Sequence, residues 1–435
     1  MNLFNISLKL NGFPLDEAKR VLSRIQKENQ GSIESHIQAR KEAIVAYHLK
    51  HNSFYKALAK HTNINDWNSL PVLTKRDLQQ PLANRLSDGF TLKNVFINKT
   101  SGSSGDPFIF AKDKFCHALI WSVFIDRYQW FNIDLNSSKQ ARFYGIPLNK
   151  IPYYKERIKD LFSNRFRFSV FNLSDAEFEK NLRTFSKKPF DYINGYTSVI
   201  VQFAKFLKEK NLVLKTICPT LKACIVTSEM LFPDDKVLLE NQFGIPVINE
   251  YGAAELGLIA FQNKKNEWIV NNEDLFVEIL DANNNPLPNG AVGRIVITSL
   301  YNKAHPFIRY DLGDLGALET TSTLQKPILK SLVGRTSDLI YLPSGKKAAG
   351  LTFYYVTKTV IEDNASVKEF VIEQLKIDTF KIRYVSDSIL SQDKITQINK
   401  AIETYLEPNL NIEFQRELVL NRSKSGKLKQ FKSYL

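Results

Sequence analysis

Leu221-Lys222-Ala223-Cys224-Ile225-Val226-Thr227 is a short run of small and β-branched apolar residues, the composition of a strand buried on both faces. Pro233–Gln242 then reads as a helix, and Ile245–Ile248 reads as a second strand. Strand, helix and strand joined by short links predict parallel pairing and an α/β layer. Upstream, Thr197-Ser198-Val199-Ile200-Val201-Gln202-Phe203-Ala204-Lys205-Phe206-Leu207 puts Val199, Phe203, Phe206 and Leu207 on one helical face. Further out, residues 15–62 read as mostly helical, and Leu70–Leu86 as a short helix entered after Pro71, with Thr74 as its cap. Phe276–Leu280 and Arg294–Leu300 read as strands around the turn Asn283-Asn284-Asn285-Pro286. After Gly334 the character changes to a smaller α/β unit of about a hundred residues, with Lys368–Leu375 and Phe380–Val385 as its clearest strands.

A chain of 435 residues that is 43% hydrophobic is too long for one compact core, so two or more domains are expected. The first twenty residues lack a basic region followed by a long apolar core, and no uncharged run is long enough to span a membrane, which predicts a cytoplasmic protein. Cys116, Cys218 and Cys224 form no CxxC pair and fit buried thiols in a reducing compartment. The six histidines show no metal-ligand spacing. The net charge of +14 fits nucleic acid, an anionic membrane surface, polyanionic small ligands or, most simply, solvated lysines; no nucleic-acid-binding signature accompanies it.

Five short stretches carry chemistry. Lys99-Thr100-Ser101-Gly102-Ser103-Ser104-Gly105-Asp106-Pro107 follows the apolar run Val95–Ile97. Its glycines and hydroxyls suit a backbone loop that holds phosphate. Asn249-Glu250-Tyr251-Gly252-Ala253-Ala254-Glu255 follows a predicted strand, where α/β sheets place ligands. There Tyr251 suits stacking on a base, Gly252 its close approach, and Glu255 a hard cation such as Mg²⁺. Arg309-Tyr310-Asp311-Leu312-Gly313-Asp314 offers a carboxylate to a ribose diol, and Arg335 in Gly334-Arg335-Thr336-Ser337-Asp338 offers a donor fork. Ser425-Gly426-Lys427 is a lysine on a glycine turn in a basic tail. Taken alone, each is equally the composition of a plain turn or a solvated end.

In this order and spacing, TSGSSGDP, YGAAE, RYDLGD, GRTSD and a terminal SGK resemble the adenylate-forming superfamily of acyl-CoA synthetases, peptide-synthetase adenylation domains and luciferases. The lead-in Val226-Thr227-Ser228-Glu229 resembles its phenylacetate–CoA ligase branch, and GRTSDLIYLPSGKKAAG resembles the members found with capsular-polysaccharide genes. The resemblance spans roughly residues 70–430. It implies an α/β fold: a large N-terminal adenylation domain over 1–334, with mixed and parallel sheets sandwiched by helices and a helical lead-in over 1–95. A small α+β lid over 335–435 follows, hinged near 335–338.

The implied reaction has two steps. A carboxylic acid attacks the α-phosphorus of ATP to give an acyl adenylate and pyrophosphate; CoA, another thiol or an amine then takes the acyl group. The resemblance assigns Thr100, Ser101, Gly102, Ser103, Ser104 and Gly105 to the phosphates, with Ser228, Glu229, Tyr251 and Gly252 around the nucleotide. Glu255 would bind Mg²⁺, Asp314 and Arg335 the ribose, and Lys427 would bridge the carboxylate and the α-phosphate. Ser337 takes the hinge position, where Asp or Lys is usual, and IYLPSGKKAAG replaces the glycine-rich IKxRG that follows it. Transfer to CoA or another thiol is the leading reading; that divergence lends some weight to the alternative, transfer to an amine such as an envelope-polysaccharide sugar. His117, Phe143 and Tyr144 are candidates for the acyl-pocket gate, and the chain lacks the cysteines of a structural metal site. A non-catalytic nucleotide-binding protein and a basic nucleic-acid-binding module are the readings from other classes.

Overall fold

The computed structural model describes residues 3–28, 33–100, 108–145, 150–335, 338–350, 353–354, 361, 367–423 and 426–435. Ser101, Gly102, Ser103, Ser104, Gly105 and the hinge residue Ser337 lie outside these described residues. The chain divides into two compact units, one of residues 1–312 and 317–330, the other of 313–316 and 331–435.

The first unit opens with helices Leu3–Leu10, Leu15–Glu28, Ile33–His51 and Ser53–Leu58. Strands β1 (Phe96–Lys99) and β2 (Ile109–Lys112) form an antiparallel hairpin, followed by a helix over Lys114–Gln129. A seven-stranded sheet then takes β3 (Gln140–Phe143), β4 (Arg165–Phe168), β5 (Tyr192–Tyr196), β6 (Ala223–Thr227), β7 (Val247–Ala253), β8 (Gly257–Gln262) and β9 (Trp268–Val270). Its order is β4-β3-β5-β6-β7-β8-β9. The pairs from β4 through β7 are parallel, and β7–β8 and β8–β9 are antiparallel. The deciding strand, β6, is buried at all five positions, and Cys224 lies opposite Val247 in β7. Between them, the Pro233–Phe243 helix starts with proline in its first turn and two acids beside its N-terminus.

Helices cover both faces of this sheet. One face packs Phe143, Phe168, Phe185, Phe190, Phe203 and Phe243 into a single apolar cluster. The other face, with Tyr192, Ala223, Ile225 and Ile248, packs under the 15–28 and 114–129 helices. Strands β10 (Leu275–Leu280), β11 (Gly293–Ser299), β12 (Tyr310–Leu318) and β13 (Leu329–Arg335) form a second sheet in that order.

Leu70–Leu86 is a correction. It is not a helix; only Leu82–Arg85 makes a 3₁₀ turn. Thr74 and Asp77 do make the capping exchange, the Thr74 amide donating to Asp77 Oδ2 at 2.8 Å. The helix does not propagate because its backbone is engaged elsewhere. The fully buried Arg309 takes the carbonyls of Trp67, Asn68 and Leu70. Leu73 forms an isolated bridge with Tyr310, its amide donating to the Arg309 carbonyl at 2.9 Å.

The second unit holds hairpin β14 (Leu339–Tyr341) with β15 (Lys347–Ala349), then β16 (Val367–Lys376), β17 (Thr379–Ser386), β18 (Asn411–Glu417) and β19 (Phe431–Ser433). The last four form a mixed sheet of order β18-β17-β16-β19. Helix Gln392–Tyr405, capped by Ser391, buries Ile398 and Ile402 completely. Among the described residues, no helix is long and apolar enough to cross a membrane, and the three cysteines are buried free thiols.

Candidate active site

Strand order places a crevice in the first unit. From β3 the chain turns to β4 on one side, and β5 lies on the other, so the connections leaving β3 and β5 diverge. In open α/β sheets such a reversal, at the carboxyl ends of the strands, is where ligands bind. Tyr144, Tyr196, Ser228 and Glu250 stand at these ends, and the rings of Tyr144 and Tyr196 are 4.5 Å apart. Ser228 holds φ of 70° directly after β6, a conformation uncommon for a non-glycine residue. Its hydroxyl hydrogen-bonds the Tyr144 phenol, whose pKa burial raises.

Two of the candidate gate residues lie elsewhere. Phe143 is in the phenylalanine core, stacked on Phe168 at 4.8 Å. His117 is stacked on Phe96 at 3.8 Å, and its Nε2 accepts from Trp121 Nε1 at 3.1 Å. Burial in that aromatic setting lowers its pKa to about 3, so the ring is neutral. Tyr144 alone of the three stands at the crevice.

The YGAAE stretch forms the end of β7 and its turn into β8. A Cβ on Gly252 would come within 2.7 Å of the Gly257 carbonyl oxygen, so this tight hairpin demands glycine for its own backbone packing. Tyr251 is buried, edge-on to Trp268 at 6.1 Å. Glu255 is 7% exposed and accepts from the Tyr310 hydroxyl at 3.2 Å. Lys112, at the end of β2, is 3% exposed and donates from Nζ to the Ala254 carbonyl at 2.9 Å. Burial lowers its pKa, and Glu255, Cys116 and Asp274 act against that. Lys112 therefore ties the far end of the Ser/Gly hairpin to the Glu255 turn.

A single buried carboxylate with a neutral hydroxyl partner fits Mg²⁺, which keeps its waters and takes one or two carboxylates plus substrate phosphates. Among the described residues no group of three His, Cys, Asp or Glu could hold a metal ion.

Thr100 closes the base of the Ser/Gly loop. Its amide donates to the Phe108 carbonyl at 2.9 Å, and its Oγ1 accepts from the Phe108 amide at 3.0 Å. Glu229 has a local structural task. The 197–209 helix has no side-chain cap of its own, and Glu229 Oε2 accepts from the Ser198 amide at 2.8 Å.

In the second unit, Arg335 Nε donates to Asp314 Oδ1 at 2.9 Å. Two residues 21 positions apart in sequence, both assigned to one sugar, thus meet in space. The neighbouring Asp311 belongs to the first unit and is paired with Arg294 at 2.7 Å. Lys427 sits on a turn that returns to Ser423. The Ser423 amide donates to the Lys427 carbonyl at 2.9 Å, and Gly426 at φ of 91° supplies the left-handed residue that turn requires. The candidate residues thus fall into two groups. Thr100, Ser228, Glu229, Tyr251, Gly252 and Glu255 are in the first unit; Asp314, Arg335 and Lys427 are in the second.

Motif reading does not reach Lys112, Arg142 or Tyr310. Lys112 and Arg142 are strand residues in no motif, and Tyr310 lies inside one without signalling its partner, because that pairing forms only on folding.

A scan against protein-family models finds no match. Among curated proteins, Protein CapK of Staphylococcus aureus is 24% identical over 316 residues, covering 69% of this chain and 67% of CapK. Among solved structures, 2-hydroxyisobutyryl-CoA ligase in the postadenylation state, with 2-hydroxyisobutyryl-AMP, superposes with a TM-score of 0.68 at 16% identity. The match covers 92% of this chain and 88% of the ligase. The amide bond synthetase McbA of Marinactinospora thermotolerans gives a TM-score of 0.53 at 13% identity, over 78% of this chain and 69% of McbA. ATP-bound MatB of Rhodopseudomonas palustris gives 0.54 at 14% identity, over 78% and 65%. An α/β sheet of this order, covered on both faces and followed by a smaller α+β unit, is therefore the fold of the adenylate-forming ligases.

Proposed function

We propose that the chain is an ATP-dependent, carboxylate-activating ligase. The carboxylate oxygen of an organic acid attacks the α-phosphorus of ATP, the bond to the β-phosphate bridge breaks, and pyrophosphate leaves. CoA or another thiol then attacks the acyl carbon and displaces AMP. The observation that carries this reading is the Asp314–Arg335 pair, in which two separate motif residues converge as one polar unit of the kind that holds a ribose diol.

The other residues take consistent parts in this reading. The Thr100–Gly105 loop holds the β- and γ-phosphates, with Thr100 anchoring its base. Tyr251 and Gly252 flank the adenine, with Ser228 and Glu229 beside them. Mg²⁺, when bound at Glu255, neutralises charge on the departing pyrophosphate. Lys427 bridges the acid's carboxylate and the α-phosphate, easing the approach of two anions. Because Lys427 belongs to the second unit, that unit acts as a lid hinged near Ser337, and adenylation requires its closure. The protein acts in the cytoplasm on small molecules.

A second reading keeps the same first step and passes the acyl group to an amine, for example on an envelope-polysaccharide sugar. Its support is the Leu339–Ala349 hairpin, whose sequence departs from the thioester-forming pattern, together with the fold likeness to an amide bond synthetase.

The test is pyrophosphate release from ATP and Mg²⁺ across a panel of carboxylic acids, with and without CoA, beside Lys427→Ala. Release triggered by one acid and lost in the variant supports adenylation, and CoA dependence separates the two acceptors. ATP binding without release for any acid supports the non-catalytic alternative.

A further inference from the structure

The crevice between β3 and β5 contains a cation that the reaction scheme above does not use. Arg142 on β3 lies opposite Asn194 on β5 and Arg167 on β4. Its side chain is half-buried, its Nε is buried with no hydrogen-bond partner among the described residues, and its Cζ stands 4.2 Å over the Tyr144 ring.

Arg167 Nε is likewise unpartnered among the described residues, but the neighbouring arginines differ in having carboxylates. Arg167 takes Glu156 at 3.0 Å and Asp160 at 2.9 Å, and Arg165 also takes Asp160. The helical carboxylates on this edge are therefore spent, and Arg165 feels the like charge of Arg142. The remaining acid facing Arg142 is Glu250. It already accepts from the Tyr128 hydroxyl at 2.8 Å and from Thr227, and it forms no ion pair with Arg142 among the described residues. The Tyr144 ring lies against the guanidinium, and Tyr192 is near enough to feel its charge. A guanidinium kept partly from water with no ion-paired carboxylate among the described residues is costly, and its planar fork of donors, with no acceptor, is shaped for a carboxylate.

Resting on the ligase reading above, we propose that Arg142 binds a second anionic group on the acid, so that the substrates are carboxylic acids carrying a further carboxylate or equivalent anion. The reacting carboxylate goes to the nucleotide, and the second anion lies on Arg142 beside the Tyr144 ring. Arg142 is a specificity residue that takes no part in the bond-making step.

The experiment compares matched acids: hexanoate with hexanedioate, and 4-methylbenzoate with benzene-1,4-dicarboxylate. Each is assayed for pyrophosphate release with the full-length protein, Arg142→Met and Arg142→Lys. Calorimetric binding of the same acids, without ATP, is measured in parallel. The expected result is a kcat/KM preference for the dianion of about tenfold or more. That preference collapses in Arg142→Met and is partly restored in Arg142→Lys, and dianion binding without ATP follows the same order. Removing an unpaired cation should not unfold the protein, and an unchanged thermal midpoint checks this. A preference for monoanions, or a dianion preference that survives in Arg142→Met, overturns the proposal while leaving adenylation standing. Arg142-dependent binding without pyrophosphate release overturns adenylation and keeps the anion site. Neither binding nor release overturns both.

Discussion

Arg142 and Phe143 are consecutive residues of one strand, and they serve opposite purposes. Phe143 is fully buried against Phe168, within an apolar cluster of phenylalanine rings and aliphatic side chains. Arg142 points to the other face, where the buried Asn194 and Thr227 and the half-buried Glu250 from the next strands form a polar strip. The two-residue period of a strand separates these environments by one position. One face supplies rigidity, and the other can spend polar groups on a ligand because the first holds the sheet in place. A substitution on the phenylalanine face should therefore act on stability, and one on the polar ends of the strands on binding and turnover.

The strongest challenge to this division is Phe203→Ala. Phe203 is fully buried among Phe143, Phe178, Phe185 and Phe243. Its truncation should cost about 3–5 kcal/mol, read as a lowered urea midpoint, while KM for ATP in the surviving folded protein stays within about twofold. A large KM change at constant stability would break the comparison. Glu255→Gln should do the reverse. Pyrophosphate release should fall by about 10²–10³-fold, with a thermal midpoint close to that of the parent. A weaker effect is expected from Arg335→Ala, which releases Asp314. KM for ATP should rise about tenfold with little change in stability, and Asp314→Asn should act in the same direction without adding fully to it, since the two residues form one pair.

A last test uses pH. Asp274 is buried, accepts from Asn271 Nδ2, and lies where Lys112 and Arg127 act on it; burial raises its pKa from 3.8 to about 7. Its folded state therefore holds a proton that the unfolded chain releases near pH 4. That contribution to stability is complete below about pH 4 and is lost as the pH rises toward 7. Asp274→Asn should flatten the decline of the thermal midpoint across this window; a parallel decline in both proteins would show that Asp274 is ionised in the fold.

Residue pattern is a good guide where one local rule governs. The β6, 233–243 helix and β7 succession is legible because five apolar residues, a proline at a helix start and short links all point to a parallel unit. The 197–209 helix is legible by its apolar face. The 70–86 stretch misleads because its local signals, Pro71 and the Thr74–Asp77 exchange, are real, yet Arg309 and Tyr310 from over two hundred residues away take up its backbone. Gly252 shows the same limit: it reads as room for a ligand, and the hairpin packing of β7 on β8 already requires it.

The order and spacing of five motifs, each too short to mean much singly, are linear properties, and from them follow the α/β class, the adenylate-forming fold and the naming of Glu255, Asp314, Arg335 and Lys427. Pairing is not linear. That Asp314 rather than Asp311 meets Arg335, that Tyr310 holds Glu255, that Lys112 is buried under the same turn, and that Arg142, unlike Arg165 and Arg167, pairs with no carboxylate among the described residues all depend on which strands lie side by side. The physical reason is range: helix and strand periodicity acts over a few residues, whereas desolvation and charge pairing act between groups that the chain brings together only when the sheet has formed.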